Sequence, residues 1–192
     1  MAEAIYKIGR FRDPARPSAA DEVRHNYLNS FEAEETKGVR RLRIGAAGDP
    51  VVAMQTLSSL LSEPLFLLLV LHTSRCDSML ARYQSPPVRR EGLQEFFSQF
   101  GTFLGVDARH DTWIHSQKDN ATIVLDRHNL IYAYGPIEAF RAALLEMGFR
   151  EGIVEIPVPH IHNYHPEFDA AEKQILAWFE WSKTPLRPDD QQ

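Results

Sequence analysis

The chain has 192 residues, 44% of them hydrophobic and 24% charged, with a formal net charge of −5 at neutral pH. That length and mixture describe one folded domain of ordinary soluble composition, large enough to bury a core without a metal or a disulfide. They exclude collagen-like, disordered and disulfide-stapled chains, and a single cysteine, Cys76, rules out an intramolecular disulfide. The excess acid is confined to residues 151–192, which carry −5, against +1 over 1–50 and −1 over 51–150. Non-specific nucleic-acid binding is therefore not expected, because counterion release needs a basic face.

The opening Met1-Ala2-Glu3-Ala4-Ile5 has no apolar run, so it is not read as a signal peptide. The longest apolar run, Leu65–Leu71, is seven residues, far below the roughly 20 needed to span a bilayer. A soluble cytoplasmic protein with no membrane partner is expected.

In chain order, residues 10–20 read as an irregular arm, because Pro14 and Pro17 remove donors and bias their predecessors away from helix. Val23, Tyr27, Leu28 and Phe31 lie near helical spacing and suggest a short helix within 21–35. Val39–Ile44 alternates Leu42 and Ile44 with Arg41 and Arg43, as a strand does. Asp49 then suits an N-cap and Pro50 the first helical position of a helix that stops before Pro64. The non-alternating run 65–72 predicts a strand buried on both faces, and 73–87 a loop.

Residues 91–104 predict an amphipathic helix burying Leu93, Phe96, Phe97, Phe100 and Leu104. Three strands follow, over 111–116, 121–126 and 130–134, the last two joined by the tight turn Arg127-His128-Asn129. A helix over 137–147 ends at Gly148, a strand covers 153–158, and a helix over 169–181 starts with Asp169 and Glu172 spaced as a capping box. The expected class is α+β, a largely antiparallel sheet with a central three-stranded meander and amphipathic helices packed on it. Residues 1–36 form an arm, 37–183 the domain and 184–192 a loose polar tail. A parallel strand pair around the first helix is the one departure from antiparallel pairing that the pattern allows.

The histidines carry the clearest chemical signal. Six of eight fall at or after position 110, and the densest stretch is Pro159-His160-Ile161-His162-Asn163-Tyr164-His165-Pro166. In an extended segment His160 and His162 share one side, with α-carbons about 6.5–7 Å apart. Both imidazoles can then reach one ion, with His165 as a third ligand after a turn, and a divalent metal such as zinc is the candidate cofactor. The competing account is histidines that cap turns or face solvent, since no His-Glu-x-x-His or Cys-x-x-Cys pattern accompanies them.

A second group borders the meander. Asp111, His115 and His128 are catalytic candidates there, because a carboxylate beside an imidazole orients it as a base, and Glu167 is a further candidate base near the histidines. Asp126–Asn129 is better explained as turn chemistry, with Asp accepting backbone N–H bonds and Asn holding a positive φ. Trp113 shares a strand face with Asp111 and His115, which suits a pocket or partner surface. Trp181 lies on a different side of the last helix from Phe179 and is a second candidate contact.

Weaker signals are read as structural. Cys76 is a loop bystander, Gly45–Gly48 lacks the residues of a nucleotide loop, and Arg40, Arg41 and Arg43 are balanced if Glu32, Glu34 and Glu35 fold back on them. The function expected first is a non-enzymatic module that recognises another protein or a second copy of itself. The alternatives are a metal-dependent hydrolase using His160, His162 and His165, and a carrier of a small molecule at Trp113.

Overall fold

The structure, a computed structural model, describes residues 5–191. Strand β1 (Ile8–Phe11) pairs with β2 (Glu22–Arg24), and β3 (Ser30–Thr36) turns into β4 (Val39–Gly45). Helix α1 (Pro50–Ser58) leads to β5 (Leu65–Leu71) and β6 (Arg82–Gln84), followed by α2 (Arg90–Val106). The meander is β7 (His110–Ser116), β8 (Ala121–Leu125) and β9 (Leu130–Tyr134). Helix α3 (Ile137–Glu146), β10 (Arg150–Glu151), β11 (His160–His162), α4 (Asp169–Leu176) and β12 (Ser182–Thr184) complete the chain.

Nine strands form one mixed sheet in the order β10-β3-β4-β9-β8-β7-β5-β6-β12, and three form a small antiparallel sheet, β11-β1-β2. The class is α+β, mostly antiparallel, with the meander at the centre as expected. The strands flanking α1 are not neighbours, because the three meander strands insert between β4 and β5. The sole parallel pair among the described residues is β10 with β3.

Local rules account for much of this. Asp49 accepts the Val51 N–H at 2.9 Å and Pro50 opens α1, so an orphan donor is satisfied where the helix starts. The β3–β4 hairpin turns on Lys37 and Gly38, both at positive φ (51° and 78°), which matches the twist of the strands. Its register sets Glu34 opposite Arg41 and Glu32 opposite Arg43, with ion pairs of 2.5 and 3.6 Å. The acidic run therefore does fold back on the arginines. The main core lies between the large sheet and its helices, where Leu42, Ile44, Met54, Phe96, Phe100, Ile114, Ile123 and Phe140 are buried. Each fully buried Leu, Ile or Phe contributes about 1.5–3 kcal/mol of transfer free energy.

Six expectations need correcting. The stretch 21–35 forms β2 and β3 in place of a helix. Phe31 and Ala33 alternate with Glu32 and Glu34, and the acids find their partners across the hairpin. Residues 153–158 form no strand, and pairing resumes only at β11. Loop 73–87 contains β6, while the last helix ends at Leu176 and gives way to β12, which pairs with β6. Finally, the tail is docked: Asp190 is buried and meets Arg82 at 2.5 Å, and the arm supplies strands to both sheets.

Candidate metal centre

Two remote segments build the site. The β8–β9 turn presents His128, and its carboxylate does most of the holding. Asp126 Oδ1 accepts the N–H groups of His128 and Leu130, both at 2.9 Å, and Asn129 adopts the left-handed conformation (φ 63°) the turn requires. Tyr27 Oη donates to the His128 carbonyl at 2.9 Å, and Asn129 Nδ2 to the Gly105 carbonyl at 2.9 Å, so the turn is braced from β2's side and from α2. The other segment is β11, paired with β1 so that Ile8 faces His162 and Arg10 faces His160. Asn163 extends that pairing, its N–H donating to Lys7 O and its carbonyl accepting from Ala108 N–H.

The three imidazoles meet. Ring centroids are 5.1 Å apart for His128–His160, 4.8 Å for His128–His162 and 5.1 Å for His160–His162. One ring nitrogen from each lies within 4.8 Å of the other two. Some point therefore lies within about 2.8 Å of all three nitrogens, against a zinc–imidazole bond of roughly 2.0–2.1 Å. Small side-chain rotations would close that difference.

The hydrogen bonds at the back of the rings choose the tautomer. Nδ1–H of His128 donates to Asp126 Oδ2 at 2.9 Å, and Nδ1–H of His160 donates to the Pro157 carbonyl at 2.9 Å. Each leaves Nε2 with a free lone pair, the arrangement in which metal-binding histidines are held by a carboxylate or a carbonyl. Nε2 of His162 is buried and has no hydrogen-bond partner among the described residues. Burial pushes the His162 imidazole down to about 4, and the neighbouring His128, His160 and Arg127 push the same way. It is therefore neutral at physiological pH, as a ligand must be.

The third member differs from the one expected. His165 is not in the group: its Nε2 contacts the Tyr6 carbonyl at 2.9 Å, its N–H donates to Asp107 and its carbonyl accepts from Arg109. It belongs to a separate buried network around Arg109, which bonds both carboxylate oxygens of Asp107 (2.8 and 3.0 Å), Glu172 (2.6 Å) and Asp169 (3.1 Å). Burial raises the Glu172 carboxyl, but hydrogen bonds from Ser74, Ser78 and Arg109 overcome it and hold the group below its ordinary value. Asp169 and Glu172 thus serve Arg109, and no capping box forms.

The remaining candidates are dispersed. Asp111 lies at the turn end of the meander, accepting the Arg127 N–H at 2.8 Å and sitting 2.9 Å from His72 Nε2. His115 is four residues further along β7, roughly 13 Å away by strand rise, and contacts Thr122. Glu167 is exposed on the short turn Pro166–Phe168. Trp113 lines a cleft of about 480 Å³ with Phe66, Leu68, His115 and Arg187, and the Arg82 guanidinium stacks 5.2 Å from its ring. Trp181 is a core residue, not a contact surface: it is 9% exposed and its Nε1–H donates to the Ile175 carbonyl. Trp178, just beyond the last helix and 39% exposed, is the tryptophan this segment shows to solvent.

Pro157 O and the partnering of Asp126 with His128 as a ligand were not assigned from sequence. An Asp-x-His spacing at a turn was the available signal. No protein-family model, curated protein or solved structure matches the chain. No helix among the described residues is long and apolar enough to cross a membrane.

Proposed function

We propose that the protein binds a divalent transition metal, zinc being the best fit, through His128, His160 and His162, and uses it in metal-assisted hydrolysis. The observation that carries this is the convergence of three imidazoles from two remote segments, two of them already fixed in the ligand tautomer. Three protein ligands leave a coordination position for water or substrate, the pattern of catalytic rather than structural zinc sites. A bound ion there would lower the pKa of its water and supply a nucleophile near neutral pH. A water-sized gap is not needed, since three nitrogens this close suit an ion. This reading ranks above the protein-recognition module, which loses Trp181 to the core. The cleft at Trp113 supports a second reading, a small-molecule site. A cytoplasmic setting belongs to the same proposal, since the lone thiol of Cys76 stays reduced there.

The test is elemental analysis of untagged protein, beside the His160→Ala/His162→Ala variant. Near-stoichiometric metal in the parent and background metal in the variant is expected. Saturation with zinc at a hundredfold excess over the dissociation constant should add about 2.7 kcal/mol of stability to the parent alone. Background metal in both proteins, with no stabilisation by added zinc, would remove the proposal.

A further inference from the structure

Two arginines adjoin the three histidines, one in strand register and one in sequence. Arg10 stands opposite His160 in the β1–β11 register, so its side chain leaves the same face of the small sheet as the imidazoles of His160 and His162. Arg127 precedes His128 in the turn, with its backbone N–H tied to Asp111. Among the described residues neither guanidinium has a carboxylate within 4.0 Å. Arg41, Arg43, Arg75, Arg82, Arg90, Arg109 and Arg141 each have one, and what sets Arg10 and Arg127 apart from the other unpaired arginines is their place beside the histidines. Among the described residues Asp126 is the one acid hydrogen-bonded to the cluster, and its partner there is His128.

A divalent ion held by three neutral imidazoles would add two further positive charges to this corner. Two free arginines beside it are unfavourable unless an anion arrives to meet them. We infer that the His128–His160–His162 centre, with Arg10 and Arg127 on either side, binds the phosphoryl group of a phosphomonoester. This rests on the metal reading above and names the substrate class of that site. A phosphoryl dianion offers three terminal oxygens, one for the metal and one for each guanidinium. A carboxylate has only two, and guanidinium forks suit phosphate oxygens better than a point charge does. Arg10 is exposed and Arg127 half-exposed, so both can close on a ligand without disturbing the core.

The experiment uses the full chain loaded with cobalt(II), whose visible spectrum reports its ligands, titrated with inorganic phosphate and then phenylphosphonate at constant ionic strength. A histidine-ligated cobalt spectrum that shifts saturably with both anions is expected. Arg10→Ala and Arg127→Ala should each weaken that titration roughly tenfold while leaving the anion-free spectrum unchanged. A cobalt spectrum that phosphate does not move, or whose response survives both substitutions, would overturn the phosphoryl site and leave the metal centre standing. Equal or tighter binding of acetate would replace phosphoryl by carboxylate as the ligand class. Absence of any histidine-ligated cobalt spectrum would overturn both readings together.

Discussion

Two polar clusters join the C-terminal third of the chain to the rest, and they are finished to different degrees. Around Arg109 every charge is answered: the guanidinium reaches Asp107, Glu172, Asp169 and the His165 carbonyl, and Arg109, Asp107 and Glu172 are fully buried. Around His128, His160 and His162 the backs of two rings are bonded, and among the described residues the group has no protein partner at its centre. A network satisfied on all sides fixes a structure, because any partial loss strands a buried charge. A network held only from behind is prepared for something the chain does not supply. Histidines alone do not make the difference, since His165 lies in the first cluster and His162 in the second.

Breaking the closed cluster should have the largest effect. Arg109→Met removes the cation and leaves Asp107 and Glu172 buried without compensation, so a loss of about 3–5 kcal/mol is expected. Urea denaturation monitored by tryptophan fluorescence measures it. A loss below about 1 kcal/mol would mean the carboxylates find water, and that the cluster is not closed.

Asp126→Asn probes the open cluster from behind. The amide oxygen can still accept the N–H groups of His128 and Leu130, so the turn survives, while the charged partner of His128 Nδ1–H is lost. Zinc affinity should fall about 10- to 100-fold, as removal of such partners does elsewhere, with little change in the metal-free unfolding midpoint. Competition with a chromophoric chelator reads the affinity directly.

Acid should weaken the open cluster through His162. The folded His162 titrates near 4, well below the ordinary 6.5, so the unfolded chain binds the extra proton first. Its contribution is complete above about pH 6.5 and declines as the pH falls towards 4. The fully buried His110, held well below 6.5 chiefly by burial and then by Lys7 and His72, acts in the same direction. Metal-free protein should therefore lose stability across that window, and His162→Gln should flatten part of the slope. An unchanged slope would assign the acid sensitivity to His110 and its neighbours.

How much of this was legible depended on distance along the chain. The Asp49-Pro50 start of α1, the Asn129 turn and the Gly148 stop (φ 83°) are short-range signals and were readable as such. His160 and His162 sharing a face followed from strand geometry alone. The partnership with His128 was not readable, because it depends on β1 from the arm pairing with β11 and carrying it against the meander turn. The arm is illegible for the same reason. Val23, Tyr27 and Phe31 fit a helical stripe locally, but Glu32 and Glu34 meet Arg43 and Arg41 only once the hairpin forms. His165 looked like a ligand by proximity, and its actual partners, Tyr6 and Asp107, lie 159 and 58 residues away.

That residue supplies the smallest and most discriminating test. His165 is three positions from His162, yet its ring is engaged with the Tyr6 carbonyl and its backbone with Asp107 and Arg109. His165→Ala removes one side-chain hydrogen bond and keeps both backbone ones, so about 1 kcal/mol of stability should be lost. Metal content and zinc affinity should stay at the parent values, while His162→Ala abolishes them. If His165→Ala instead released the metal, the ring would have to leave Tyr6 and join the other three. The closed and open clusters would then share a residue, and the boundary drawn between them at Asn163–Tyr164 would be wrong.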